Sequence, residues 1–324
     1  MFSFFFSSRL KRRLCSSILK LSSASLILSL VACGASAPTE TNSKVSNGLK
    51  VVTSFLPMTL FTSAVAGDCA TVTALIPPNL GPHDFQATPA SISSLREAQL
   101  LVKNGLGMEE FLEKLLTSAN NPTLVVIDTS VGIPTLEPSV DDTHDHNHDH
   151  GVINPHIWLD PIRAIQQVES IRDGLVKADP SCAEQYKRNS ELYTQELQKL
   201  NEEISGQLKQ YSGKTFVAFH DFAPYFAERY NLKGEYIVDL PEMNPSPADL
   251  QRVAVKVRKS QLKALLSEPQ AGNRSFNALA NDLGVRVVEF NPLETGSIDS
   301  AREPETYFDV MRSNTVNLIK AIGG

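Results

Sequence analysis

The 324-residue chain is short of basic charge, of cysteine and of long apolar runs, and each shortage removes a class of function. It carries 30 Lys and Arg against 36 Asp and Glu, a formal net charge of −6. A surface of that sign repels phosphate backbones, and no basic stripe interleaved with aromatics reverses it, so nucleic acid is not an expected partner. No His-Glu-x-x-His helix, nucleophile elbow or glycine-rich phosphate loop is present, which withdraws the usual sequence support for hydrolase or nucleotide chemistry. The apolar run at 25–32 is too short to cross a bilayer as a mature helix.

What precedes that run is informative. Arg9, Lys11, Arg12, Arg13 and Lys20 stand there without an acid, the pattern of an export signal. The run ends in Leu30-Val31-Ala32-Cys33-Gly34, which resembles the lipobox of bacterial lipoproteins, where the cysteine is acylated and becomes the new N-terminus. Residues 1–33 are therefore expected to be a lipoprotein signal peptide, with Cys33 the lipidation site that ties the protein to a membrane. Taking its five basic residues from the 30 leaves 25 against 36 acids, a mature net charge of −11. Cys15 and Cys33 fall in the signal, which leaves Cys69 and Cys182 for the folded part. An exported chain permits a disulfide between them. Two buried thiols fit equally, because spacing alone does not bring their Cα atoms within bonding range.

From 34 to 47 the chain turns to Ser, Thr, Pro, Asn and Glu without apolar period, as a flexible tether does. The fold is expected to begin near Leu49. Apolar runs at 49–55, 72–76, 100–103 and 124–127 read as buried strands, with helices between them. The clearest helix is 88–98, where Thr88 can cap and Pro89 occupies a first-turn position that needs no N–H. A second block repeats the pattern, with strands at 215–219, 236–238, 264–266 and 285–290 and helices at about 222–231, 247–260, 273–283 and 304–322. Alternating β and α predicts parallel sheets covered by helices on both faces. Between the blocks Tyr193, Leu197, Leu200, Ile204 and Leu208 recur at steps of three and four, one stripe down a long helix. The organisation expected is an N-terminal α/β lobe at 48–178, a rigid connecting helix at 179–212 and a C-terminal α/β lobe at 213–324. The irregular stretch at about 132–154 is too long for an ordinary connection and reads as a functional loop.

The seven histidines divide cleanly. His144, His146, His148 and His150 alternate with Asp and Asn in one tract at 141–150. The other three stand apart. His83 lies in Gly81-Pro82-His83-Asp84-Phe85, after a strand and a proline-rich turn. His156 lies in Asn154-Pro155-His156-Ile157-Trp158-Leu159-Asp160-Pro161, before a helix that Asp160 can cap. His220 follows the run 215–219, at the carboxyl end of a predicted parallel strand, where open α/β sheets gather their ligands. Together with Phe219-His220-Asp221-Phe222-Ala223-Pro224-Tyr225-Phe226, these segments resemble, in order and spacing, the metal-ligand motifs of the zinc and manganese solute-binding proteins of ABC transporters. The resemblance runs from about Leu49 to the C-terminus. It implies two α/β lobes joined by one long helix, a metal in the cleft held by His83, His156 and His220, and delivery of that metal to an ABC permease by a periplasmic or cell-surface lipoprotein that acts as a monomer and not as an enzyme.

Imidazole suits Zn²⁺, whereas Mn²⁺ prefers more oxygen. Manganese-type members tend to carry a carboxylate where this chain has His220, so the resemblance favours zinc over manganese. The His/Asp tract matches a loop that zinc members insert at this place, which implies auxiliary metal binding by His144, His146, His148 and His150. One departure stands out. Where the family offers an aspartate in a segment like Asp-Pro-Leu, this chain reads Asn291-Pro292-Leu293, with Glu294 next. The fourth position is left open among Asn291, bound weakly or through water, Glu294 and water alone. Glu268 and Glu294 are candidates for supporting the ligands, Glu268 by orienting His220. Two rival functions remain at this stage: a zinc hydrolase or hydratase, because three histidines with an open vertex activate water, and a surface adhesin or metal reservoir.

Overall fold

In the computed structural model, residues 48–136, 153–238, 245–269 and 274–323 are described. The export signal with Cys33, the tether and the His/Asp tract lie outside them.

The first sheet holds β1 (Leu49–Thr53), β2 (Ala70–Ala74), β3 (Leu100–Lys103) and β4 (Val125–Asp128), all parallel in the order β2-β1-β3-β4. The second holds β5 (Thr215–His220), β6 (Lys233–Val238), β7 (Ala264–Ser267) and β8 (Arg286–Glu289), parallel in the order β6-β5-β7-β8. The two lobes thus repeat one topology. In each, the strand order reverses between the two central strands, and the crevice beyond their carboxyl ends is where such sheets bind ligands.

Local chemistry explains most element boundaries. Helix α1 (Leu56–Ala66) follows β1 directly and is buried nearly all round, as a helix apolar on every face must be. Helix α2 (Pro89–Glu97) starts on a reciprocal cap, Thr88 with Ser91, and has Pro89 at its first position. Helices α3 (Leu112–Ala119) and α4 (Pro161–Ala178) complete the first lobe. The Asp160 carboxylate accepts the N–H of Ile162 at the start of α4 and, fully buried, also receives Arg163 at 2.6 Å and both Arg229 donors at 2.8 Å. Paired in this way, a buried carboxylate offsets its desolvation.

Helix α5 (Ala183–Leu208) buries Tyr186, Tyr193, Leu197, Leu200, Ile204 and Leu208. Its 26 residues span about 39 Å at 1.5 Å per residue. It lies against α1, α4 and α9 (Thr306–Ile322), so the expected connector is also a wall of both lobes. Phe61 of α1, Tyr193 of α5 and Phe308 of α9 stack in sequence, with ring centroids 6.0 and 4.9 Å apart. One continuous apolar core runs through both sheets, and residues 46–324 form one unit. Helices α6 (Pro224–Arg229), α7 (Pro247–Ser260) and α8 (Arg274–Leu283) complete the second lobe.

Two strands begin earlier than their apolar runs predict. β2 covers 70–74 instead of 72–76 because it is an edge strand with alternating exposure. Leu75 and Ile76 leave the ladder only as β1 runs out, still donating to the Thr53 and Ser54 carbonyls. β6, the other lobe's edge, begins at Lys233 for the same reason: one solvated side tolerates charge. Cys69 and Cys182 are bonded to each other, their Cα atoms 6.2 Å apart, joining the turn after α1 to the turn before α5 across 113 residues.

Candidate metal centre

His220 is the last residue of β5 and is wholly buried. β7 lies beside β5, with Leu266 opposite Ala218, which brings Glu268 to the same sheet edge. The carboxylate Oε1 of Glu268 stands 2.6 Å from His220 Nδ1. A carboxylate accepts, so Nδ1 donates and Nε2 is turned into the cleft. His156 sits in the short turn before α4, packed against Trp158 at 5.0 Å between ring centroids. Its Nδ1 is 2.9 Å from Asn154 Oδ1, so here too Nε2 points inward. His83 lies in the loop after β2, its ring 6.3 Å from that of His156 and 6.0 Å from that of His220. With its side chain 15% exposed, it is the one histidine of the three on the solvent side.

Glu294 completes the group. Its Oε1 lies 2.9 Å from His156 Nε2, 3.6 Å from His220 Nε2 and 3.7 Å from His83 Nε2, while the Nε2 atoms of His156 and His220 are 3.4 Å apart. One donor atom from each of the four residues lies within 4.8 Å of all the others. Donors about 2.0–2.1 Å from a tetrahedral ion are separated by roughly 3.3–3.4 Å. The separations of 2.9 to 3.7 Å bracket that value.

Electrostatics agree with the geometry. Burial holds the His156 imidazolium down, to about 4, although Glu294 opposes it. Burial pulls His220 down as well, but Glu268 and Glu294 together carry it up to about 10. Burial raises Glu268. For Glu294 burial acts upward too, yet the bonds to three histidines hold it well below the usual carboxylate range. An anionic Glu294 oxygen 2.9 Å from the lone pair of a neutral His156 is repulsive unless a cation or a proton lies between them.

The turn that delivers Glu294 explains the departure noted at Asn291. The Asn291 side-chain oxygen accepts the N–H of Leu293 at 2.8 Å, while its main chain exchanges two bonds, at 2.8 and 2.7 Å, with the Asn314 amide. Leu293, fully buried, is held at φ +64°, a costly conformation for a branched side chain. The Gly296 N–H then reaches the Pro78 carbonyl, tying this loop to the one that carries His83. Asn291 therefore shapes the loop, and Glu294 faces the histidines.

Of the residues singled out from sequence, the structure brings together His83, His156, His220 and Glu294, sets Glu268 behind His220 and turns Asn291 toward its own loop. Asn154 stands in the His156 motif, and its contacts to both histidine turns emerge only in the fold. The Asn-Pro dipeptide ahead of a histidine, a turn signal, marked it.

The chain is 32% identical over 293 residues to the zinc-binding lipoprotein AdcA of Streptococcus pneumoniae, covering 89% of this chain and 57% of that protein, so it spans a little over half of that relative's length. It is 32% identical over 297 residues to the high-affinity zinc uptake system protein ZnuA of Bacillus subtilis, covering 90% of this chain and 93% of that one. The crystal structure of Zn(II)-bound AdcA from Streptococcus pneumoniae superposes with a TM-score of 0.72 at 31% identity, over 86% of this chain and 58% of that one. Residues 51–321 match the family described as zinc-uptake complex component A, periplasmic, and the chain belongs to that ZnuA family.

Proposed function

We propose that this protein captures one Zn²⁺ between His83, His156, His220 and Glu294 and hands it to an ABC permease, working outside the cytoplasm on a lipid anchor at Cys33. The observation that carries the reading is the convergence of three Nε2 atoms and one carboxylate oxygen on a single buried point. Three imidazoles with one carboxylate suit zinc better than manganese. Glu294 supports carriage over catalysis, because a catalytic zinc keeps its fourth position open for water and here a protein oxygen stands at that position. The relatives named for zinc binding and zinc uptake support the same cargo. No described helix is long and apolar enough to cross a membrane.

Competition titration of the chain from Cys33 onward against a chromogenic zinc chelator tests the reading. One tight equivalent is expected, weakened by orders of magnitude in His156→Ala and His220→Ala. Wild-type affinity in both variants would rule the site out.

A further inference from the structure

Asn154 lies at the junction of three parts of the molecule. Its side-chain Oδ1 accepts both the main-chain N–H of His156 at 3.0 Å and the ring Nδ1–H at 2.9 Å. Its Nδ2 donates to the main-chain oxygen of Asp221 at 2.8 Å and to Asp221 Oδ2 at 3.1 Å. A main-chain N–H can only donate and a main-chain carbonyl can only accept, so the amide has one permitted orientation. Nδ1 of His156 is consequently the protonated nitrogen. Asp221 follows His220 directly, and the Phe222 N–H closes a tight turn on the His220 carbonyl at 2.9 Å. One side chain thus grips the segments bearing two of the converging nitrogens.

The grip has support on both sides. Asn104, at the end of β3 and fully buried, donates to the Pro155 carbonyl at 2.9 Å and is itself held by Gln167 at 2.9 Å. Pro155, with its fixed φ, leaves little freedom between Asn154 and His156. On the other lobe the Tyr225 hydroxyl donates to the Asn154 carbonyl at 2.8 Å.

We propose that Asn154 is a positioning residue with two separable tasks: its oxygen selects the His156 tautomer that presents Nε2 to the cleft, and its NH₂ group fastens that histidine's turn to the His220 turn of the other lobe. The zinc arm of the proposal rests on the function proposed above; the tautomer arm does not. His220 is oriented by the Glu268 carboxylate from within its own lobe, whereas His156 is oriented by a neutral amide that also spans the cleft.

The two tasks are separated by three variants. In metal-free protein with ¹⁵N-labelled histidine, the wild type is expected to show His156 protonated at Nδ1. N154A removes both tasks and should shift that ring toward the Nε2–H form, lower zinc affinity about 10–100-fold and speed dissociation. N154D keeps an acceptor for Nδ1 but loses the donor and sets a carboxylate against Asp221; it should keep the tautomer while still releasing zinc faster. Adding D221N restores a donor–acceptor pair, so N154D/D221N should release zinc more slowly than N154D. Thermal melts in each case report whether the fold survives. An unchanged His156 tautomer in N154A, or a double variant that releases zinc as fast as N154D, would overturn the proposal. Because the tautomer is read without metal, a protein that failed to bind zinc would contradict the proposed function and still leave the positioning role tested.

Discussion

Glu294 Oε1 lies 2.9 Å from His156 Nε2, the shortest separation between converging donors of the candidate centre. The carboxylate is buried among three imidazoles, and the His156 imidazole keeps a proton on its other nitrogen, bonded to Asn154. A cation held among them gains the carboxylate's charge and the imidazole lone pairs together.

That pairing separates Glu294 from Asn291. E294Q keeps the shape but removes the negative charge, and should weaken zinc binding by at least tenfold, as loss of a charged donor requires. N291A leaves the donor set intact but removes the acceptor that supports Leu293 at positive φ, so it should lower thermal stability by about 1–3 kcal/mol with a smaller change in affinity. Calorimetric titration together with thermal melts checks the contrast. Equal affinities for E294Q and wild type would return the fourth position to Asn291 or to water.

Proton release supplies a second prediction. With His220 carried up to about 10 and His156 held near 4, His220 holds a proton at neutral pH that His156 does not. Zinc must displace it. Calorimetry in buffers of different ionisation enthalpy should report about one proton released per zinc at pH 7. The logarithm of affinity should rise by about one for each pH unit up to roughly 9 and level off above 10. For the metal-free protein the two rings act in opposite directions on stability. The folded state keeps the His220 proton after the unfolded chain has lost it, so that contribution is fully present below pH 6.5 and is lost as pH rises through 10. The folded state resists protonating His156, so stability falls as pH drops from 6.5 toward 4. H220A should flatten the alkaline slope and H156A the acid one. A proton release near zero at pH 7 would contradict the charge assignment.

The disulfide offers a third. Cys69 and Cys182 close a loop of 113 residues, and removing such a link costs about 2–5 kcal/mol, largely by freeing the unfolded chain. C69S/C182S should melt earlier by that amount and still bind zinc tightly. Loss of the tight site without loss of the fold would show that the link also holds the cleft.

The tract at 141–150 gives a fourth. Its four histidines alternate with Asp and Asn at steps of two, a supply of imidazole and carboxylate donors separate from the four that converge in the cleft. Deleting 141–150 should remove weaker zinc equivalents and leave the tightest one. If the tight site vanished, the tract would be a primary source of ligands.

Much of this architecture was legible from residue order. Thr88, Pro89 and Ser91 announce α2; Asp160 and Pro161 announce α4; the stripe from Tyr193 to Leu208 gives the face of α5. Each depends on neighbours three or four positions away, which a sequence displays. His83, His156 and His220 were marked by the resemblance of their three segments, in order and spacing, to the family's metal-ligand motifs. What sequence left open depends on backbone conformation and on distant partners. Nothing near Leu293 announces a positive φ, because a buried leucine is an unusual occupant of that conformation, so the turn that presents Glu294 could not be chosen over one presenting Asn291. The bond from Asn154 to Asp221 links residues 67 apart and depends on how the two lobes meet. The edge strands β2 and β6 began early because a half-solvated strand accepts Thr, Lys and Glu that an apolar-run criterion rejects.

The four converging donors are spread along the chain from His83 to Glu294, three in loops and turns and His220 at the end of β5, drawn from both lobes. No partial chain ending before Glu294 holds the complete set, and no lobe holds it alone. Capture therefore follows folding. An unfolded polypeptide carries no assembled four-donor set, so an ion is held by all four only once the fold is complete.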